Sequence, residues 1–483
     1  MVNMKRIYIT TAIPYVNAAP HIGFALEAVQ ADCLARFYRL LGYDVYFASG
    51  TDENSLKNVQ AAEAEGLPTQ ELVDKYAKQF ENLKDALNLT WNTFNRTSAK
   101  HHFDGAQKLW NLCNKEDIYK KNYRGLYCVG CEVFYAQDEI SDGKCPDGHT
   151  NIDEVEEENY FFALSKYQRY LETLINTDPS TSLRTGKLRI VPNTKKNEVL
   201  SFIKQGLEDF SISRSRERAR GWGVPVPGDE SQVMYVWFDA LTTYLTALGF
   251  SSNDELYKQY WTNNSNRLHV IGKGIIRFHA VYWPAMLASA GLPLPAIEFV
   301  HGYVTVDGQK ISKSLGNVIN PFDLVSKFGV DPVRYYLLRE IPAYGDGDFS
   351  IARFKDLYNG ELANGLGNLV ARVARLASDT SLSLPEKKNF KFKKTVSDNL
   401  RIFKFDQALL SIWDDISRLD KKINEEKPWE LAGKNLKKSI TPIAQEIREI
   451  AFNLAPFLPD TSRKILDQFT GKVSSEKPLF PRI

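Results

Sequence analysis

Three short stretches carry residue types that could do chemistry. The first is PHIGF, where His21 and Gly23 follow Pro20 and lead into an amphipathic segment. A helix that begins there presents unpaired backbone N–H groups and the positive end of its dipole, which suits a phosphate. Gly23 lets an anion come close, and His21 can donate to an oxyanion. The second is GQKISKSLG at residues 308–316, where Lys310 and Lys313 stand between two glycines with Ser312 and Ser314 as further donors. Two ammonium groups on one loop suit a reaction in which negative charge builds up on departing phosphates. The third is CVGC at residues 128–131, followed by CPDGH at residues 145–149. Cys128, Cys131, Cys145 and His149 form a closed tetrahedral set for one structural zinc ion, with Asp147 as the substitute fourth ligand. Each stretch also has a plainer reading: a capping histidine, a solvated lysine turn, a group of unliganded thiols. The first two stretches together, at the two ends of one sheet, favour phosphate chemistry.

The elements that position these residues follow from pattern. Residues 6–13 (RIYITTAI) are β-branched and read as a buried strand ended by Pro14. From Gly23 onward, Leu26, Val29, Cys33, Phe37 and Leu40 recur at helical spacing, and Gly42 suits the helix end. Residues 44–53 (DVYFASGTDE) read as a second strand. Strand, helix, strand opens a parallel nucleotide-binding sheet. Neither G-x-G-x-x-G nor G-x-x-x-x-G-K-S/T follows the first strand, so the dinucleotide and P-loop readings lose support.

Near Tyr119 the pattern changes to short segments, turns and the cysteine cluster, the signature of a small inserted module. Strand and helix signals return at residues 233–249 and run through 268–287 to 298–306, so the insertion splits the sheet. Residues 177–196 are polar, with Pro, Ser and Thr spaced through them, and are expected to form an exposed loop. From about Ile351 long amphipathic stretches predict a helical bundle. No internal repeat is seen. The expected fold is α/β, a Rossmann-like parallel sheet split by a small zinc-binding insertion and followed by an all-α bundle. The corresponding boundaries are 1–118, 119–224, 225–350 and 351–483.

At 483 residues the chain is expected to hold two to four modules. Its 61 Lys and Arg against 59 Asp and Glu leave a net charge of +2, so any nucleic-acid contact must be a local patch. No apolar run is long enough to cross a bilayer and no secretory leader is legible at the N-terminus, which points to a soluble, cytoplasmic protein. Of the five cysteines, Cys33 and Cys113 stand apart from the cluster and are expected to be buried apolar residues.

His21, Ile22 and Gly23 resemble the first three positions of the HIGH signature, and residues 310–314 (KISKS) the KMSKS signature, of class I aminoacyl-tRNA synthetases. Flanking residues resemble the methionyl-tRNA synthetase family, from about Ile7 to about Leu458. The resemblance implies activation of L-methionine by ATP with magnesium, followed by transfer to initiator and elongator methionine tRNA. His21, Lys310 and Lys313 would then be the catalytic groups. It implies a methionine site at Ile13, Tyr15 and Asp52, at Trp237, Ala240 and Tyr244, and at Ile275, His279 and Trp283. Aromatic rings can enclose a flexible thioether. Tyr15 and His279 are expected to offer hydroxyl and N–H groups toward the sulfur, and Asp52 to pair with the substrate ammonium. ATP would meet Gly23, Phe24, Glu27, Gly272 and Val304, with Lys313 on its phosphates. Asn368, Arg372 and Trp429 would read the anticodon, since an indole can stack on an unpaired base while amide and guanidinium groups reach base edges.

Two positions depart from the family pattern. Phe24 replaces the second histidine of HIGH, and Gly274 stands where an aspartate commonly meets the ribose. Asn17, Lys273 and the backbone N–H groups at Gly23 and Phe24 are the candidates to compensate. The rivals are a class I synthetase for leucine, isoleucine, valine or cysteine, and a non-catalytic tRNA-binding paralogue. The segment between Tyr119 and Val233 is too short for the editing insertion of the first three. A cysteine enzyme would place zinc in its amino-acid pocket. The intact lysine loop argues against a non-catalytic paralogue. The chain ends near the bundle, which suggests a monomer.

Overall fold

The β-branched run at the start of the chain forms the strand Arg6–Thr11, buried except at Arg6. The computed structural model describes residues 4–128, 130, 133–135, 137–146, 148–176, 187–311 and 316–483. The first strand lies inside a six-stranded sheet in the order Thr93–Arg96, Asp44–Thr51, Arg6–Thr11, Arg267–Gly272, Ile297–His301, Arg189–Val191. Its pairings run parallel, with Arg6 opposite Asp44, Tyr8 opposite Arg267, Ala48 opposite Thr93 and Ile297 opposite Arg189. A parallel sheet needs both faces covered, which is why these strands are rich in Ile, Val, Phe and Tyr rather than alternating. The described chain divides into two compact units, one of residues up to Pro20, Gly42–Lys84 and Thr90–Val300, the other of His21–Leu41, Asp85–Leu89 and His301–Ile483.

In the first unit the sheet is interrupted in sequence by an antiparallel module. Ile118–Cys128 pairs along its whole length with Ile152–Phe162, from Ile118 opposite Phe162 to Cys128 opposite Ile152. Val133–Tyr135 and Phe210–Ser211 flank that pair. The exposed loop expected over 177–196 is corrected in its second half; residues 177–186 lie outside the described residues. Arg189–Val191 is the edge strand of the main sheet with Ile190 and Val191 buried, and the helix Asn193–Lys204 begins directly after Pro192. Two adjacent apolar residues suffice to anchor an edge strand once a neighbour offers its ladder.

In the second unit the helix Ile22–Leu40 carries the HIG residues. Gly42, just past its end, has φ +81°, the left-handed conformation that glycine adopts without strain. Asp32 on this helix is fully buried and accepts from Arg36 at 2.7 Å and Arg334 at 2.8 Å. Arg334, equally buried, also donates to the carbonyls of Leu87, Pro456 and Phe457. A dry charge is tolerated only when paired and hydrogen-bonded to this degree. The helices Asn368–Asp379, Phe405–Glu426, Gly433–Leu454 and Pro459–Gln468 make up the expected bundle. Its first stretch differs from expectation: Tyr358–Gly367 is a π-helix that continues into Asn368–Asp379. Among the described residues no helix is long and apolar enough to cross a membrane.

Candidate active site

His21 sits at the N-cap of Ile22–Leu40 in extended conformation, and its Nδ1 accepts the Gly23 backbone N–H at 3.0 Å. With Nδ1 an acceptor, the neutral ring carries its proton on Nε2. The residue is exposed, yet surrounding atoms desolvate the ring and lower its pKa, which favours that neutral donor form. The capping role and the anion-facing role therefore coexist on one ring. A Cβ at Gly23 would lie 2.8 Å from His21 Cε1, so glycine is needed here for the cap as well as for access to the helix end. Phe24 is buried in the same helix.

Also in this unit, Val304–Val306 and Gln309–Lys310 form a tight hairpin, with Thr305 opposite Lys310. Asp307 and Gly308 at its turn both have positive φ, as the tightest hairpin turns require. Asp348 pins the turn, accepting from Thr305 Oγ1 at 2.6 Å and Gly308 N at 2.8 Å. Lys310 is exposed on this hairpin. Lys313, Ser312 and Ser314 lie outside the described residues. Val304, buried, pairs with Gly347 in a parallel ladder. Glu27 is joined to a residue that sequence reasoning missed: His301 Nε2 lies 2.8 Å from Glu27 Oε2, with both side chains nearly dry. His301 Nδ1 donates to the Gly302 carbonyl at 2.8 Å, which leaves Nε2 to face the carboxyl group.

In the first unit Tyr244 and His279 close on each other. Tyr244 Oη lies 2.6 Å from His279 Nε2, and His279 Nδ1 lies 2.9 Å from the Ile275 carbonyl. A carbonyl only accepts, so Nδ1 bears the proton and Nε2 accepts from the tyrosine. Burial lowers the His279 pKa to about 4, keeping the ring neutral at pH 7. The expected N–H toward sulfur is thus corrected: the one ring proton of His279 is given to a backbone carbonyl. Trp237 stacks on Phe278 at 3.7 Å and meets His279 edge-on at 6.4 Å, while Trp283 meets Tyr244 at 6.1 Å. The His269 ring lies tilted against Tyr244 at 4.1 Å, hydrogen-bonded through Nδ1 to Thr10 Oγ1. Ala240 is buried. Tyr15 and Asp52 form an isolated parallel bridge, Asp52 N donating to the Pro14 carbonyl at 2.8 Å, and Lys57 Nζ lies 4.8 Å over the Tyr15 ring. Asp52 is buried. Ile13 follows the first strand, and Gly272 ends the strand that Lys273, Gly274 and Ile275 leave in a 3-10 turn.

Cys128, Cys145 and His149 place their ligand atoms within 4.8 Å of one another. Cys131 and Asp147 lie outside the described residues. Cys145 Sγ lies 3.6 Å from His149 Nδ1 and accepts the His149 backbone N–H at 3.3 Å, a contact that stabilises a thiolate. A Cβ at Gly130 would come within 2.4 Å of the His149 ring, so the glycine of CVGC makes room for the imidazole. Among the described residues, Tyr135 packs with the two cysteines, and Ile140 and Ile152 pack against them. Two thiols and an imidazole so placed fit a metal ion.

In the bundle Asn368 is exposed at the start of its helix, and Trp429 is 48% exposed, which rules out a core role for the indole. Arg372 is held by Asp420 and by Asn424 Oδ1 at 2.9 Å, so its guanidinium is engaged within the bundle. Sequence reasoning missed His301, although it lies within FVHGYV just before Val304, and it missed Asp239, which stands between Trp237 and Ala240.

A parallel sheet in one unit, and a HIG helix start and a lysine-bearing hairpin in the other, are the features that point to the class I synthetases. A family model described as tRNA synthetases class I (M) matches residues 7–157 and 148–374. The methionine–tRNA ligase of Clostridium acetobutylicum is 40% identical over 530 residues, spanning 100% of this chain and 79% of that protein. The Thermotoga maritima methionine–tRNA ligase is 39% identical over 98% of this chain and 76% of its own length. The solved structure of Mycobacterium tuberculosis methionyl-tRNA synthetase in complex with methionyl-adenylate is similar with TM-score 0.90 at 36% identity, covering 99% of this chain and 100% of that one. The chain belongs to the methionyl-tRNA synthetase family, and its activity is the family's: activation of methionine and its transfer to tRNA.

Proposed function

We propose that the methionine carboxylate attacks the α-phosphate of magnesium-bound ATP in line, with His21, Lys310 and Lys313 stabilising the charge that develops as pyrophosphate leaves. ATP rests on Gly23, Phe24, Glu27, Gly272 and Val304. Methionine is held by Ile13, Tyr15, Asp52, Trp237, Ala240, Tyr244, Ile275, His279 and Trp283, with Asp52 receiving the ammonium. The methionyl group then passes to the terminal adenosine of initiator or elongator methionine tRNA, whose anticodon meets Asn368, Arg372 and Trp429. No side-chain nucleophile is needed, because positioning and electrostatics supply the catalysis.

The observation that carries this reading is the closed Tyr244–His279 pair. Its ring neutral and its N–H already given away, His279 presents an uncharged, polarisable wall, and Trp237 and Trp283 extend it. That surface suits a thioether better than it suits a charged side chain. Zinc, held by Cys128, Cys131, Cys145 and His149, supplies folding energy to a module with little core of its own. The domain division 1–118, 119–224, 225–350 and 351–483, a monomeric state and a cytoplasmic location complete the reading. The test is Lys313→Ala, which should slow adenylate formation far more than it weakens methionine binding. A large loss of methionine affinity at an unchanged rate would remove Lys313 from this role.

A further inference from the structure

Two of the segments that bear residues of the methionine site, the one at Asp52 and the one from Trp237 to Tyr244, also bear, within two positions of those residues, members of one buried hydrogen-bonded chain. Asn54, two residues past Asp52, donates Nδ2 to Asp239 Oδ2 at 2.7 Å and to the Thr97 carbonyl at 3.0 Å. Asp239 stands between Trp237 and Ala240 on the short helix Val236–Leu241. Its other oxygen lies 2.6 Å from His102 Nε2, and His102 Nδ1 lies 2.8 Å from Thr246 Oγ1, two residues past Tyr244. Asn95 Nδ2 ties the far end, reaching Thr243 Oγ1 at 2.8 Å and Thr246 Oγ1 at 3.0 Å. Asn54, His102, Asp239 and Thr246 are all at least nine-tenths buried. His102 comes within reach because Gly105, one turn on along the helix Lys100–Leu112, has no Cβ; one built there would sit 2.2 Å from Thr246 Cγ2.

We propose that this chain of Asn54, Asp239, His102 and Thr246 is a positioning device that sets the Asp52 segment against the helix of Trp237 and Ala240 and so aligns methionine for attack. The inference rests on the reading that these segments hold the amino acid. A dry carboxylate cannot trade a lost donor for water, so its links act as a unit and a break at either end is felt at both. None of the four residues touches substrate in this account. Their effect is on methionine alignment, where displacements below an ångström are costly.

The test uses the whole chain in methionine-dependent ATP–pyrophosphate exchange. Asn54→Ala and Thr246→Val should each raise KM for methionine about tenfold or more and leave KM for ATP within about twofold. Thr246→Ser, which keeps the hydroxyl, should restore the parent values, and the double variant should fall short of the product of the single effects. Unchanged KM for methionine in both single variants would overturn the inference. So would a uniform decline of all parameters that serine does not rescue. Asp52→Ala and Tyr244→Phe separate the two levels: if these also leave methionine KM unchanged, the site reading itself fails and the inference with it. If they raise KM while Asn54→Ala and Thr246→Val do not, the positioning inference alone is wrong.

Discussion

Lowering the pH from 7 to 5 should weaken the fold through one buried ring. His279 is fully enclosed, and its pKa is depressed from the ordinary 6.5 to about 4 by burial. Below pH 6.5 the unfolded chain therefore takes up a proton that the folded chain refuses. Stability from this group is intact above pH 6.5, falls as the pH drops through the window to about 4, and is fully lost below it. The gap between 6.5 and about 4, at ~1.4 kcal/mol per pH unit, amounts to about 3 kcal/mol in full, of which about 2 kcal/mol is lost by pH 5. His269 shifts in the same direction through burial and adds to the effect. Carboxylates also titrate in this range, so the informative quantity is a difference. Between pH 7 and pH 5 the parent should lose about 2 kcal/mol more than His279→Gln in urea unfolding. The ring should be read directly as well, by imidazole NMR with His279→Gln as the assignment control: one histidine should hold its neutral Nδ1–H tautomer down to pH 5. A midpoint near 6.5 for that ring, or equal losses in parent and variant, would refute the closed Tyr244–His279 pair.

Elemental analysis should find one zinc per chain, and Cys128→Ser should release it and loosen the insertion while sparing the phosphate-facing residues; two zinc ions or none would reject the site. Trp429→Ala should reduce tRNA charging and leave pyrophosphate exchange nearly intact, as an exposed indole implies; parallel loss of both activities would contradict it. Phe24→His should leave adenylate formation within about tenfold of the parent, whereas His21→Ala, removing a preorganised donor worth about 3 kcal/mol, should abolish most of it. A gain of several orders of magnitude in Phe24→His would mean that the site is crippled at residue 24.

The features legible in the sequence were those whose partners lie close along the chain. CVGC with CPDGH, HIG at a helix start, and KISKS after a turn each announce themselves within one short stretch of chain. Strand, helix and bundle patterns followed from apolar periodicity. Illegible features depend on distant residues. Nothing near Arg189–Val191 marks it as a sheet strand, because its ladder partner is Ile297–His301. The Glu27–His301 pair spans 274 positions, and the Asn54–Asp239 contact spans 185. Which atom of His279 keeps its proton depends on the Ile275 carbonyl one helical turn away, a matter of local geometry that residue types leave open. Arg372 illustrates the same limit, since its partners Asp420 and Asn424 come from another helix.

The most direct test of the whole account is steady-state ATP–pyrophosphate exchange by the unaltered chain, with magnesium and each standard amino acid in turn. Rapid exchange is expected with methionine and with no other amino acid, Phe24 and Gly274 notwithstanding. Exchange supported equally by leucine or cysteine, or absent with methionine, would contradict it.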